Sequence, residues 1–149
     1  MLHVLCGIPG SGKTTLSKQL TKAQDAVLYC YDEIPFAHYP RKQEAVRNRM
    51  YSQIADNLAN GKNVVCDHLH ITKTERHNVL AAVSHVACRK VLHVMQTPLC
   101  VCIERVRNRE RFNVPEDAIE ICARAYEVPS LDEGWDEIIY HTAPKGAQP

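Results

Sequence analysis

The sequence contains no long hydrophobic run and no surplus of charge of one sign. Every apolar run falls well short of the ~20 residues that a membrane-spanning helix needs. The 18 basic side chains nearly balance the 17 acidic ones, so the net charge is +1. No overall field therefore draws the chain to DNA or to an acidic membrane, and binding to a nucleic acid would need a local basic patch.

Paired cysteines are also missing, although the chain has seven cysteines. Their number is odd and no C-x-x-C pair occurs, so they lack the spacing of a structural zinc site. Unpaired thiols are typical of a reducing compartment, and the N-terminal residues do not have the pattern of a signal peptide. We therefore expect a cytoplasmic protein in which Cys6, Cys30 and Cys66, each at the end of an apolar run, are buried free thiols.

Internal repeats, low-complexity stretches and linkers are absent, and 149 residues fit a single domain. We expect this domain to span residues 1–142 and to be followed by a flexible tail over residues 143–149. Short apolar runs alternate with longer helical patterns along the domain. Strands are predicted over 2–6, 26–31, 63–67, 90–96 and 137–141. Helices are predicted over 13–23, 40–59, 73–86, 98–109 and 115–126.

This alternation predicts an α/β fold with a parallel sheet, because strands separated by helices form βαβ units. Most of the predicted strands are apolar runs rather than strict alternations, as expected where helices cover both faces of a sheet. In such folds, ligands bind in a crevice beyond the carboxyl ends of the strands. We therefore look for functional residues just after positions 6, 31, 67 and 96.

The strongest motif follows the first predicted strand, where residues 7–14 read GIPGSGKT and fit the Walker A pattern G-x-x-x-x-G-K-[ST]. The glycines let the backbone turn its N–H groups toward phosphate oxygens, and the next helix directs its positive end at the same anion. Lys13 can reach the β- and γ-phosphates, and the Thr14 hydroxyl can complete a Mg²⁺ shell. The motif therefore predicts a site for ATP and Mg²⁺. The predicted nucleotide-binding residues are Gly7, Gly10, Ser11, Gly12, Lys13, Thr14 and Thr15.

Two aspartates lie at the ends of predicted strands. Asp67 ends the third strand, which is the Walker B arrangement that holds Mg²⁺ directly or through water. Asp32 follows the second strand and is then available as the general base that accepts a proton from an attacking hydroxyl. Either aspartate alone would be interpreted as a helix cap or turn residue, so the assignment depends on the neighbouring loop. His68 and His70 suggest a metal site, but without a third ligand nearby we interpret them as polar residues that line the crevice.

Basic side chains are concentrated in two segments. Arginines at two-residue spacing run from a predicted helix into a loop, and they predict a lid over the γ-phosphate, because a planar guanidinium matches phosphate oxygens in pairs. These are Arg105, Arg107, Arg109 and Arg111. We expect Arg105 or Arg109 to be catalytic, while the alternative is a solvated helix paired with neighbouring glutamates. The second segment either lines an acceptor groove or, for most of its members, forms a solvated face; it contains Arg41, Lys42, Arg47 and Arg49.

Taken in order, the loop, the two strand-end aspartates and the arginine segment resemble the kinase module of the polynucleotide 5′-hydroxyl kinases. They are also similar to the related L-seryl-tRNA kinases. Residues 126–135, which read YEVPSLDEGW, belong to the same resemblance, and together these features cover residues 2 to about 140. The resemblance implies a P-loop NTPase fold of three layers, with a five-stranded parallel sheet and an arginine-rich lid.

The resemblance also implies a phosphotransferase that moves the γ-phosphate of ATP to a hydroxyl group. It implies that Lys13 is catalytic, that Asp32 is the base, that a lid arginine clamps the transition state, and that Thr14 and Asp67 lie near Mg²⁺. Kinases of this branch usually carry an arginine three residues after the base, where it contacts the phosphate of the acceptor. Pro35 occupies that position here.

The leading hypothesis is therefore a kinase that acts on the 5′-hydroxyl of DNA or RNA. A small-molecule or nucleoside kinase is the second hypothesis, favoured by Pro35 and by the small net charge. An enzyme similar to the seryl-tRNA kinases is a third. The hypothesis outside the enzymes is a binding switch that depends on a nucleoside triphosphate and has no acceptor.

Overall fold

The structure of the chain, a computed structural model, describes residues 1–30, 40–108 and 114–142, without the side chains of residues 40–43 and 116. Within these ranges the strands are β1 (Leu2–Cys6), β2 (Val27–Cys30), β3 (Val64–Asp67), β4 (Lys90–Gln96) and β5 (Glu137–Thr142). The α-helices are α1 (Lys13–Gln24), α2 (Pro40–Ala59), α3 (Lys73–Ala82), α4 (Leu99–Arg107) and α5 (Glu116–Ala125). A 3₁₀ turn covers Leu131–Glu133.

The five strands form one parallel sheet in the order β2-β3-β1-β4-β5, which confirms the predicted fold class. β1 lies in the middle and is completely buried, because it pairs with β3 on one side and with β4 on the other. Leu5 of β1 is in register with Asp67 of β3. The loop after β1 therefore leaves the sheet at the centre of its carboxyl edge, one strand away from Asp67.

Helices cover both faces of the sheet. The main hydrophobic core lies on the face that carries Leu2, Val4 and Cys6, where α2 and α3 contribute residues such as Ile54 and Val79. Alternate strand residues point to the opposite face, which α1 covers. A second small core, built by Cys102, Val106 and Ile119, joins α4 to α5.

The ends of the helices follow local signals. α2 has the predicted bounds and is followed by Gly61, whose φ of 77° is the left-handed conformation typical of a residue just past a helix. α3 begins with the expected capping box between Thr72 and Glu75. It ends at Ala82, four residues earlier than predicted, because the backbone passes into i→i−3 turns and the Ser84 hydroxyl donates to the Ala81 carbonyl.

The segment over 126–135 is fastened to α3 by a buried ion pair. Arg76, which is completely buried, donates from Nε and Nη2 to the two oxygens of Glu133 at 2.7 and 2.8 Å. Trp135 Nε1 also donates to Glu133, at 3.2 Å. Burial alone would raise the pKa of Glu133, but the hydrogen bonds from Arg76 and Trp135 lower it. Glu133 and Trp135 of the E-G-W sequence therefore both take part in this contact.

The seven cysteines are all free thiols. Burial raises the pKa of Cys6 to about 11 and that of Cys66 to about 12, so both are inert, apolar groups at neutral pH. Cys30 is only partly buried, contrary to the expectation, because β2 is an edge strand. Among the described residues, no helix combines the length and apolar character needed to cross a membrane.

Candidate nucleotide-binding site

The loop over residues 7–12 connects β1 to α1 and is shaped by glycines. Gly10 and Gly12 have φ values of 83° and 100°, in the region where a side chain is strained. Gly12 directly precedes the first turn of α1. Lys13 folds back over the loop and is 6% exposed, with Nζ donating to the Ile8 carbonyl at 3.0 Å. The ammonium group is therefore held at the concave side of the loop, where phosphates bind in proteins with this motif.

The loop has no room for extra atoms on its outer side. A Cβ at Gly7 would approach Ser11 Oγ to 2.6 Å and Met95 Cβ to 2.9 Å. A Cβ at Gly10 would come within 2.4 Å of the Cys102 carbonyl oxygen in α4. The loop is thus pressed against β4 and α4, and only glycine permits this approach.

A nucleotide phosphate fits the polar groups of this loop. The buried Ser11 hydroxyl has no hydrogen-bond partner within the described part of the chain, and leaving such a group unsatisfied costs about 1–3 kcal/mol. A phosphate oxygen is an acceptor that could satisfy it. The start of α1 adds the backbone N–H groups of the first helical turn and the positive end of the helix dipole.

Asp67 is buried at the end of β3 and is held by α1. The Ser17 hydroxyl lies 2.8 Å from Asp67 Oδ2 and 3.0 Å from the Thr14 carbonyl, so it links the carboxylate to the first turn of the helix. The side chain of Thr14 is exposed in that turn, as is the side chain of Thr15. Because Asp67 is only 2% exposed, it suits contact with a metal through water better than direct ligation.

Arg105 extends from α4 to the loop. Its Nη1 donates to the Gly10 carbonyl at 3.4 Å and lies 3.7 Å from the place of a Cβ on Gly12. The Thr97 hydroxyl donates to the Ser11 carbonyl at 2.9 Å and fixes the start of the same helix against the loop. Arg105 therefore reaches the loop from the side opposite to Asp67, as one of the two expected lid arginines.

A cavity of about 450 Å³ opens beside the loop. Its walls come from the loop, α1, the end of β4, α4 and the last strand. The residues that line it include Gly12, Leu16, Gln19, Met95, Arg105 and His141. Leu16 and Met95 give it apolar surface, so the cavity suits a flat base attached to phosphates on the loop.

His68 and His70 follow Asp67 at the end of β3. No group of three metal-ligating side chains is present in the ranges that the structure describes. His70 is completely buried with a left-handed φ of 43°, and its Nδ1 donates to the Leu5 carbonyl at 2.9 Å. Burial lowers the pKa of His70 to about 3 and that of His68 to about 4, so both rings are neutral at pH 7.

Several predicted residues lie outside the described ranges. Asp32, Pro35, Arg109, Arg111 and the tail over 143–149 are among them, and the side chains of Arg41 and Lys42 are also outside the description. Sequence reasoning missed Ser17, although its position four residues after Lys13 places both on one face of a helix. It also missed Thr97 and His141, for which no local motif gives a signal.

Comparisons with known proteins agree with this geometry. The sequence pattern of a family described as an AAA domain matches residues 2–129. The curated protein kti12 of Schizosaccharomyces pombe is 28% identical over 158 residues, covering 93% of this chain and 56% of that protein. The chain therefore spans little more than half the length of this curated relative.

Solved structures share the fold at lower identity. The crystal structure of Chaetomium thermophilum Kti12 in complex with ADP-AlF3 has a TM-score of 0.73 at 19% identity, covering 97% of this chain and 90% of that one. A chain of the Pnkp1/Rnl/Hen1 RNA repair complex has a TM-score of 0.74 at 22% identity, covering 83% of this chain and 43% of that one. These likenesses confirm the predicted P-loop kinase-like fold and its resemblance to polynucleotide kinases.

Proposed function

This chain belongs to the AAA domain family, and from that premise we propose that it transfers the γ-phosphate of ATP to a hydroxyl acceptor. The observation that carries the proposal is that Lys13 and Arg105 both contact the phosphate-binding loop, while Ser17 ties Asp67 to the first turn of the helix that follows it. Two cations and one carboxylate around a triphosphate are the groups that phosphoryl transfer needs, because charge spreads over the γ-phosphate oxygens in the transition state.

Each of these side chains has a distinct role in the proposal. Lys13 exchanges the Ile8 carbonyl for the β- and γ-phosphates, and Arg105 neutralises charge on the opposite side of the loop. Thr14 and, through water, Asp67 would hold Mg²⁺, with Ser17 keeping the carboxylate and the first turn of α1 together. When bound, the ion would supply positive charge that offsets the negative charge of the phosphate oxygens.

We assign the general base to Asp32. Cys30, the last residue of β2, is in register with Asp67 on β3. Asp32 comes two residues later in the sequence and lies outside the described residues. A carboxylate so soon after β2 in the sequence could accept the proton that the acceptor hydroxyl loses as it attacks the γ-phosphate.

A polynucleotide 5′-hydroxyl is the first acceptor to test. Arg47 on α2 is half-buried, and its charge adds to burial and to Lys13 in lowering the pKa of His68. A positive charge within range of His68, which directly follows Asp67, is suited to the phosphate of a nucleic-acid acceptor. A small alcohol is the second candidate, favoured by Pro35 in the position where an arginine would bind such a phosphate.

A transfer assay over a panel of acceptors tests the proposal. Purified protein is incubated with γ-labelled ATP and Mg²⁺ and with 5′-OH DNA, 5′-OH RNA, tRNA, nucleosides or water alone. We expect label on one of the 5′-OH oligonucleotides, with a rate that falls as salt rises. Label on nucleosides alone identifies a small-molecule kinase, and label released only to water contradicts transfer to a hydroxyl.

The Asp32→Asn variant separates a kinase from a nucleotide-dependent switch. A kinase should lose about 10²–10⁴-fold in transfer rate while its ATP affinity changes little, because only proton abstraction is removed. Asp25→Asn is the matched control, since Asp25 is exposed at the end of α1 in a left-handed conformation that asparagine tolerates. Equal transfer rates in the two variants would contradict the role of Asp32.

A further inference from the structure

Three histidines on neighbouring strands form one continuous hydrogen-bonded chain. His3 Nδ1 on β1 lies 2.9 Å from His93 Nε2 on β4, and His93 Nδ1 lies 2.9 Å from His141 Nε2 on β5. In each of the two pairs, the ring centroids are 5.2 Å apart. The rings lie on the face of the sheet opposite to the main core. In each hydrogen-bonded pair, one histidine lies two residues away from the register partner of the other.

The hydrogen bonds make the three rings a single unit. His3 and His93 are 5% and 3% exposed, and burial lowers the pKa of all three histidines, so the rings are neutral near pH 7. A neutral imidazole has one N–H group and one bare nitrogen. Because His93 uses both of its nitrogens, it must donate to one neighbour and accept from the other. The whole chain is therefore in the Nδ1–H form or in the Nε2–H form.

The environment of His3, at the buried end of the histidine chain, favours one of these two forms. His3 Nε2 is buried and has no hydrogen-bond partner among the described residues. A buried N–H group without a partner is rare and costly, whereas an unsatisfied acceptor is tolerated somewhat more often. His3 therefore donates to His93, and His93 donates to His141.

His141, at the other end of the histidine chain, reaches the cavity beside the phosphate loop. His141 is partly exposed and lines that cavity together with Gly12, Gln19 and Arg105. Its Nε2 is engaged with His93, so Nδ1 is the nitrogen left for a molecule that occupies the cavity. In the favoured form this nitrogen carries a proton.

We propose that the chain of His3, His93 and His141 fixes His141 as an Nδ1–H donor that reads the base of the bound nucleoside triphosphate. His141 is then a specificity-determining residue, and His93 is a positioning residue that sets its tautomer. The ligand feature that His141 recognises is a hydrogen-bond acceptor on a purine ring, such as a ring nitrogen. The inference depends on the proposed function, since it needs a nucleotide whose phosphates lie on the loop.

The tautomers can be measured on the free protein without any nucleotide. In protein labelled with ¹⁵N-histidine, nitrogen shifts at pH 7.5 distinguish N–H from bare nitrogens, and scalar couplings across the two N–H···N bonds identify the partners. We expect Nδ1–H in all three histidines and two such couplings. The Nε2–H form in all three rings, or the absence of both couplings, would overturn the proposal.

Binding of two probes tests the role of His141. ATP reports on the base and the phosphates, whereas inorganic tripolyphosphate reports on the phosphate loop alone. His141→Phe keeps an aromatic ring but removes the donor, so we expect ATP affinity to fall about fivefold and tripolyphosphate affinity to stay within about twofold. His77→Phe, on the exposed side of α3, is the matched control and should change neither affinity.

His93→Phe tests whether the chain acts through His141. It should lower ATP affinity as His141→Phe does and should return His141 to a mixture of tautomers; His3→Phe gives the same test at the other end if the first variant does not fold. Equal losses for ATP and tripolyphosphate, or no loss for either, would overturn the proposal. A wild-type protein that binds neither probe would contradict the proposed function, which is a different result from normal binding that His141→Phe leaves unchanged.

Discussion

Replacing Gly10 by alanine should break the contact between the phosphate loop and α4. The added Cβ would lie 2.4 Å from the Cys102 carbonyl oxygen and 3.0 Å from the Cys102 Cα, both of them backbone atoms of a helix. A flexible side chain could move aside, but a helix backbone that already packs against α5 cannot do so locally. Either the loop or α4 must shift as a whole, and Arg105 shifts with it.

The cost of this substitution has two parts. Alanine at a φ of 83° costs about 1–2 kcal/mol because of its left-handed conformation. Overpacking against α4 adds about 1–3 kcal/mol. Gly61→Ala isolates the first part, since Gly61 has a φ of 77° and no atom within 4 Å of its added Cβ. Both variants also lose glycine's freedom in the unfolded chain, and this effect cancels between them.

Urea unfolding of the two variants measures the difference. With slopes of about 2 kcal/mol per molar urea, Gly10→Ala should have a midpoint about 0.5–1.5 M below that of Gly61→Ala, with equal slopes. It should also lose tripolyphosphate binding, which Gly61→Ala should retain. Equal midpoints would show that α4 yields freely and that the loop is not held against it.

Three other predictions test the ion pair of Arg76 and Glu133, the buried His70 and the carboxylate of Asp67. Glu133→Gln leaves the charge of buried Arg76 uncompensated and should lower the free energy of unfolding by about 3–5 kcal/mol. Glu137→Gln removes the charge from an exposed pair and should cost under about 1 kcal/mol in the same urea titration. His70 has a pKa of about 3 when folded and near 6.5 when unfolded, so the unfolded chain binds protons first as pH falls. The free energy of unfolding should therefore decline from about pH 6.5 to about pH 3, and His70→Gln should flatten this slope in urea titrations at several pH values. Asp67→Asn should weaken ATP binding about tenfold in the presence of Mg²⁺ and little in its absence, as measured by calorimetry under both conditions.

Local patterns were sufficient to predict most of the fold. The apolar run of β1 predicts a strand buried on both faces, and Pro40 and Gly61 mark the two ends of α2. The predicted range of α3 is four residues too long because Val83 and Val86 continue the apolar pattern after the helix has ended. The order of the strands could not be obtained in this way, since it depends on which faces pack together rather than on any local sequence.

In the candidate site, too, the local motifs could be predicted from the sequence, whereas the contacts between distant residues could not. The loop and Asp67 are visible in the sequence because each is a short motif at a strand end. The contact between Ser17 and Asp67 joins residues 50 positions apart, and His3 and His93 are 90 positions apart. Such contacts are set by the packing of α1 on β3 and by the pairing of β1 with β4, so no spacing along the chain predicts them.

The cavity beside the loop draws on both ends of the domain. Gly12 comes from the beginning of the chain, while His141 and Thr142 come from β5, which pairs with β4 alone among the described strands. During synthesis, the phosphate loop is made more than a hundred residues before His141 and Thr142, which line the same cavity. A nascent chain that stops short of β5 carries the complete Walker A motif but only part of the pocket. The cavity is therefore complete only after β5 has been synthesised and has paired with β4.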